Sequence, residues 1–393
     1  MAPTFHLDPM LRRTATLIAL LAVAAPAAAH HTATPPVVRL TSSGDNSLPR
    51  CPAYSDTLAL ALQLGPDPSV YSLHLFHNPQ VMTLVSAGGD SGNPSAAAQR
   101  VIAFDSDGDP YHSGDPGRQV FVRSGANLFQ ITHDPTGTST NPSLDFIGRR
   151  LAFESAGDLT GTGSHTSQIY FQNTDGSLLQ VSRGQGTSTN PSLSRGGTTI
   201  AFESTSDSIT GMDTGISQIW LSSITPGTSR AITAGQGPSR NPLMSNGGRI
   251  MVFESDADLA AGGADTGVPQ IFAYDIVTGN FAQVTQEPSG CTRPSAQKRS
   301  GDWRIGFSCG GQGFYHDLRA DRRYRLPIDG GDTNRVVTGA GYYFIMVSST
   351  ADYLGSATTM GHRIYLLNMY KRPAVPATGN VVWFPERGLQ PRR

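Results

Sequence analysis

Positive charge in this chain comes almost without lysine: among 29 basic residues in 393, only Lys298 and Lys371 are lysines. Charged side chains make up 15% of the sequence, well below the roughly 25% of an average soluble domain. The net charge is -1, so the totals carry no footprint for nucleic acid or for an anionic membrane. Arginine used in place of lysine suits planar recognition of carboxylate or phosphate, and codon bias explains it equally well. Three cysteines leave room for one bridge and one odd thiol. No apolar run reaches the roughly 20 residues of a spanning helix. A Gly-x-Ser-x-Gly elbow, a His-Glu-x-x-His pair and a phosphate-binding loop are all missing, which lowers the prior for nucleophilic, zinc-hydrolase and nucleotide chemistry.

Glycine (44) and proline (27) are abundant, the mark of a turn-rich β composition. At the N-terminus Arg12-Arg13 precede an apolar run from Thr14 to Ala25, followed by small residues up to Ala29. Residues 1–29 therefore read as a secretory signal, with general secretion rather than the twin-arginine route as the default. Localisation is expected to be periplasmic or secreted, and residues 30–36 form a disordered lead-in.

The strongest feature is a repeat. An apolar strand recurs as Val101 to Asp105, Leu151 to Glu154, Ile200 to Glu203 and Met251 to Glu254, its phenylalanines spaced 49, 49 and 51 residues apart. Degenerate copies stand at Leu58 to Leu62, Ile305 to Phe307 and Phe344 to Val347. Asn-Pro opens a unit at Asn93, Asn141, Asn190 and Asn241, with Cys51-Pro52 and Arg293-Pro294 as variants; proline suits a strand's first residue because it cannot donate to the ladder. A Gln-Ile-aromatic strand follows at Gln119, Gln168, Gln218 and Gln270, then a Gln-Val-Thr-like strand at Gln130, Gln180 and Gln283. A period near 50 with four short strands per unit predicts an all-β propeller of four-stranded antiparallel blades, seven in number with six as the alternative. Val37 to Thr41 is placed to close the last blade.

These units resemble the TolB-type, or PD40 (WD40-like), propeller repeats, with Gly-Gly at Gly196-Gly197 and Gly247-Gly248 where that family usually has Asp-Gly. The resemblance spans about residues 37–370 and leaves 371–393 as a C-terminal tail. It implies a propeller without the α/β domain that TolB itself carries, and it is specific for fold but weak for function.

Several residues could carry chemistry. Asp105, Glu154, Glu203 and Glu254 hold one position in four successive units, which propeller symmetry arrays around one mouth. They are either a ring for a cation or basic group, or carboxylates that bond turn amides and glutamines such as Gln168 and Gln218. Asp105, Asp107 and Asp109 form the densest acidic loop, suited to calcium or simply to turn-making. Cys291 matches Ser139 in repeat register and Cys309 matches Ser155; these positions face each other on adjacent strands, which predicts a Cys291 to Cys309 disulfide with Cys51 unpaired. Arg319, Arg322, Arg323 and Tyr324, with Arg299, Arg304, Arg325, Phe314, Tyr315 and His316, make a basic, aromatic segment. It is either a patch for an acidic glycan or protein, or drift in a degenerate unit. His112, His133, His165, His316 and His362 occupy unrelated repeat positions, His74 and His77 make a poor metal pair, and His30 would follow the cleavage site.

The expectation is an exported, non-enzymatic, monomeric propeller without a cofactor that binds a protein or peptide in the bacterial envelope or outside the cell. The alternatives are a polysaccharide-acting enzyme similar to oligogalacturonate lyase, and a calcium-stabilised scaffold.

Overall fold

Each apolar run of the repeat is too short and too β-branched or aromatic for a helix, and it is apolar on both alternating faces, so it needs cover on two sides. The computed structural model describes residues 37–39, 57–62, 67–74, 82–86, 88–163, 166–207, 209–225, 227–245, 247–259, 264–299, 302–318, 322–326, 331–340, 344–351 and 362–368. The signal segment, the lead-in, the tail, Cys51, His77, His165 and Arg319 lie outside them. No helix among the described residues is long and apolar enough to cross a membrane.

The chain is a β-propeller of antiparallel blades. Blade 1 consists of β5 (Ser91–Ala96), β6 (Val101–Ser106), β7 (Gln119–Ser124) and β8 (Asn127–Gln130). Blade 2 is β9 (Thr140–Leu144), β10 (Leu151–Ser155), β11 (Gln168–Gln172) and β12 (Leu178–Gln180). Blade 3 is β13 (Ser188–Leu193), β14 (Thr199–Ser206), β15 (Asp213–Ser223) and β16 (Arg230–Ala231). Blade 4 is β17 (Ser239–Met244), β18 (Ile250–Asp258), β19 (Ala264–Asp275) and β20 (Phe281–Gln283). Blade 5 is β21 (Cys291–Arg299), β22 (Asp302–Cys309), β23 (Gln312–Asp317) and β24 (Arg322–Arg325). Blade 6 joins β25 (Thr333–Ala340), β26 (Phe344–Ser349) and β27 (Arg363–Asn368) to β1 (Val37–Arg39), with Val38 opposite Leu366. The N-terminal strand thus covers the outer edge of the last blade, the closure expected from the sequence.

Among the described residues there are six four-stranded blades rather than seven. The unit around Leu58 to Leu62 forms a three-stranded sheet of β2 (Thr57–Leu62), β3 (Ser69–His74) and β4 (Met82–Leu84). Its Cys51-Pro52 opener lies outside the described residues.

Packing follows from alternation along the second strand. In β10, Phe153 joins a core with Ala103, Val120 and Val122 of blade 1, whereas Ala152 packs with Leu193, Ile200 and Phe202 of blade 3. The repeated phenylalanines stack on their cross-strand aromatic partners at ring-centroid distances of 5.7 to 6.2 Å: Phe104 on Phe121, Phe153 on Tyr170, Phe202 on Trp220, Phe253 on Phe272 and Phe307 on Phe314. Each buried ring of this kind contributes roughly 1.5–3 kcal/mol. The fourth-strand signature does more at its end than in its body: β8 stops at Gln130, and the Thr132 hydroxyl accepts the Val120 amide at 2.8 Å and donates to Gln119 Oε1 at 2.8 Å. Ser182, Thr233 and Thr285 repeat this hook with Gln168, Gln218 and Gln270.

Candidate functional site

The mouth at which every first strand begins and every second strand ends gathers the sequence's candidate carboxylates and the cysteines of blade 5. Each Asn-Pro opener is a bulge in the first strand, with its Asn at positive φ: 43° at Asn93, 51° at Asn141, 55° at Asn190 and 53° at Asn241. Asparagine tolerates this left-handed conformation better than other side-chain-bearing residues. The bulge turns the Asn side chain onto the carboxylate of its own blade and its backbone N–H onto the carboxylate of the preceding one. Asn190 Nδ2 donates to Glu203 Oε1 at 2.7 Å, while its N–H donates to Glu154 Oε2 at 2.6 Å. Asp105 likewise accepts from Asn93 Nδ2 (2.9 Å) and Asn141 N–H (3.0 Å), and Glu254 accepts from Asn241 Nδ2 and from Arg293 N–H (2.9 Å). The serine of Asn-Pro-Ser adds a second tie, Ser143 Oγ accepting the Leu193 amide of the next blade at 2.9 Å.

The four carboxylates therefore form a chain of interblade staples, all at most 9% exposed. Their partners are asparagines and next-blade amides, not the blade's own glutamines: Gln168 and Gln218 are held by the hydroxyl hook and loop carbonyls instead.

The acidic loop of blade 1 does not converge. Asp105 is held by Arg118 and the staple, Asp107 Oδ1 accepts the Asp90 amide at 2.6 Å, and Asp109 accepts the amides of Ser113 and Gly114. Those two amides hold the Asp109 carboxyl below its usual range. Among the described residues, no group of three or more His, Cys, Asp or Glu side chains is arranged to hold a metal. His133 pairs with Asp115 at 2.7 Å, and His316 is buried within blade 5.

A neighbouring position carries a second repeated contact between the first and second strands. Ser91 and Ser106 bond through their hydroxyls at 2.8 Å, Ser188 and Ser204 at 3.0 Å, Ser239 and Ser255 at 2.9 Å, and Thr333 and Ser349 at 3.2 Å. In blade 2, Ser139 and Ser155 both donate to Asp134. Burial pushes the Asp134 carboxyl up, but hydrogen bonds from Ser155, Thr136 and Ser139 outweigh it and hold the group at about 2. In blade 5, Cys291 and Cys309 occupy this position and are bonded to each other, their Cα atoms 4.2 Å apart.

The basic, aromatic segment turns inward. Arg323 is 4% exposed, donates to Glu287 Oε1 at 2.5 Å and to the Val284 carbonyl at 3.0 Å, and lies 5.5 Å from the Phe307 ring centroid. It ties blade 5 to blade 4. Tyr324 stacks on Tyr315 at 4.5 Å, and Arg325 donates to Gln312. Arg322 pairs through its backbone with Asp317, its side chain lying outside the described residues.

Blade 5 is where the staple chain breaks, and sequence reasoning missed this. Arg293, with φ 54°, replaces the opener's Asn, and Ser308 replaces the carboxylate. The loop between second and third strands shrinks from 12 residues in blades 1 and 2 to the two-residue turn Gly310-Gly311. Both glycines have positive φ, which a tight hairpin turn of this kind requires. The outcome is a cavity of about 480 Å³ between blades 4, 5 and 6, lined by Glu254, Arg293, Ser308, Gly311, Asp332 and Thr333 among others. Aligning Ser308 with Glu254 and reading Cys-Gly-Gly-Gln as a hairpin turn would have located it.

The chain matches no family model and no curated protein sequence. Among solved structures it is similar to oligogalacturonate lyase from Vibrio parahaemolyticus, at 12% identity and a TM-score of 0.59, covering 84% of this chain and 93% of that one. It is also similar to acylaminoacyl peptidase from Pyrococcus horikoshii, at 11% identity and a TM-score of 0.54, covering 83% of this chain and 51% of the peptidase. TolB from Acinetobacter baumannii is a third neighbour, at 14% identity, a TM-score of 0.40 and 79% coverage of each chain. At such identities the likeness is one of fold, and the fold it shows is the β-propeller.

Proposed function

We propose that the chain is an exported propeller without catalytic machinery of its own, which binds a protein or peptide partner across the staple mouth. The observation that carries this reading is the loop between β14 and β15. It places Ile209 and Met212 in solvent at that mouth, 92% and 58% exposed, beside Ile216 of β15, which is 38% exposed. Large apolar side chains held in water among polar neighbours mark protein interaction sites. Its described residues are hydrogen-bonded in place: the Gly211 carbonyl accepts the Gln185 amide at 2.7 Å and Asp207 accepts the amides of Ile209 and Thr210. The equivalent loops of blades 1, 2 and 4 carry Asp109, Asp158 and Asp265, which favours a partner with basic character.

The test is quantitative affinity capture from a periplasmic extract of the native host. Wild type, Ile209→Asp with Met212→Asp, and Arg149→Glu on the opposite face are compared. The reading expects a partner retained by wild type and by Arg149→Glu but lost from the loop variant. Equal retention by all three would overturn it, as would release of unsaturated products from a uronate polymer.

A further inference from the structure

A net charge of -1 conceals a separation of charge along the propeller axis. Between Gly88 and Gly290, the span of blades 1 to 4, the chain holds 19 acids and ten arginines. Sixteen of those acids lie at the staple mouth, in the links from second to third and from fourth to first strands or at the strand ends that meet them, with only three of the arginines. The opposite end carries seven arginines and three acids. Of these acids, Asp145 is 4% exposed and accepts the amides of Arg149 and Arg150, while Asp275 is paired with Arg249 at 2.6 Å. Asp175 caps its own turn on the outer rim of blade 2. Uncompensated positive charge therefore gathers on the turns between first and second strands of blades 1 to 3, which carry Arg100, Arg149, Arg150 and Arg195.

These turns are locked together. The Ala98 amide donates to the Phe146 carbonyl at 2.8 Å, and the Phe146 amide donates to the Arg195 carbonyl at 3.0 Å, so backbone bonds join the turns of blades 1, 2 and 3 at one level. Arg150 Nη1 donates to the Gly196 carbonyl at 2.8 Å, which satisfies a donor without cancelling the charge. The Arg195 guanidinium lies 4.2 Å over the Phe146 ring, and Arg100 and Arg149 stand in solvent. Apolar tips accompany them: Ile147, 41% exposed in the blade 2 turn, and Val277, 75% exposed where β19 turns into β20 at the same end. We propose that this face rests on an anionic lipid bilayer. Headgroup phosphates meet the planar guanidinium groups, and Ile147 and Val277 enter the boundary beneath the headgroups. Turns held at one level suit a flat surface, and a polyanionic strand would have no use for the apolar tips. The same surface repels the acidic mouth, so the charge separation also fixes the orientation, with the mouth turned away from the bilayer.

The test is sedimentation of the purified protein with vesicles of phosphatidylglycerol and, separately, of phosphatidylcholine. Binding to the first and not to the second is expected, with release at about 0.5 M salt, where screening shortens the reach of the field to about 4 Å. A basic residue close to an anionic surface is worth about fivefold in partition coefficient, so Arg100→Ala with Arg149→Ala should weaken binding about 25-fold. Ile147→Ser keeps every charge and should weaken it at least about threefold. Arg240→Ala removes an arginine that is 44% exposed at the mouth, and should leave binding within about twofold of wild type. Equal binding to both lipids, no binding to phosphatidylglycerol, or an Arg240→Ala effect as large as that of the Arg100 and Arg149 pair would each overturn the assignment. Retention on heparin by a protein that ignores the vesicles would overturn it too, and would give the face to an acidic glycan. The contact does not depend on the mouth's partner: Arg149→Glu should weaken vesicle binding whether or not a partner is captured, so failure of one reading leaves the other standing.

Discussion

Replacing Asn190 tests the staple chain at its best-defined link. Its side chain holds Glu203 at 2.7 Å and its N–H holds Glu154 at 2.6 Å, with φ at 55°. Asn190→Gly removes the side-chain bond and leaves the backbone at ease. A hydrogen bond to a charged group contributes roughly 1.5–3 kcal/mol, and Glu203, only 7% exposed, gains little water in return. Asn190→Ala removes the same bond and adds a Cβ in the left-handed region, a further cost of about 1–2 kcal/mol. The expected order of stability is therefore wild type, then Gly, then Ala, with the last about 3–4 kcal/mol below the first. Asn190→Asp should be worse again, because it sets a third carboxylate between two that are already buried. Urea unfolding followed by circular dichroism reads these differences as midpoints, provided the slope is unchanged. An alanine variant as stable as the glycine variant would refute the left-handed strain. Both lying within about 0.5 kcal/mol of wild type would refute the staple itself.

Other consequences follow from single residues. Asp134 has its pKa depressed to about 2 from 3.8. Its contribution is present above pH 4 and lost as pH falls through 2, on the order of 2 kcal/mol that Asp134→Asn should forfeit at neutral pH, checked by unfolding at pH 7 and pH 2. Arg323→Ala should cost about 2 kcal/mol, less than a fully buried pair because Glu287 keeps some water access, and should leave heparin retention unchanged; reduced retention with unchanged stability would return Arg323 to the surface. Alkylation in urea without reductant should label one of the three cysteines, and labelling of all three would rule out the Cys291 to Cys309 bond. Replacing both of these cysteines with serine should cost less than the roughly 3 kcal/mol of an average loop of this length, since a serine pair forms the bond seen at Ser188 and Ser204.

The blades were legible because the repeat states the same constraint many times. Every unit must bury two faces, so the second-strand phenylalanine and its cross-strand aromatic recur together. The Cys291 and Cys309 positions were legible for the same reason, being fixed by register to Ser139 and Ser155. The role of the carboxylates was half legible: their recurrence pointed to architecture, but the partner depends on the asparagine bulge, a backbone feature without a periodic signal. The direction of Arg323 was not legible, since a charged residue in a degenerate strand faces out or in according to whether an acid such as Glu287 waits on the next blade. The cavity escaped because it arises from three losses at once, of a carboxylate, an asparagine and a loop, and absence in a degenerate copy reads as drift until the regular copies show what should be there.

The account turns on the claim that a mouth carboxylate binds each of blades 1 to 4 to the next and that blade 5 lacks one. The direct measurement is the thermal midpoint of the protein carrying Arg293→Asn together with Ser308→Glu, which reinstates the pair found in blades 2, 3 and 4. Two recovered charge-assisted bonds predict a midpoint raised by about 3 °C or more, whereas a lowered midpoint would show that the frame in blade 5 does not fit a carboxylate and would contradict the claim.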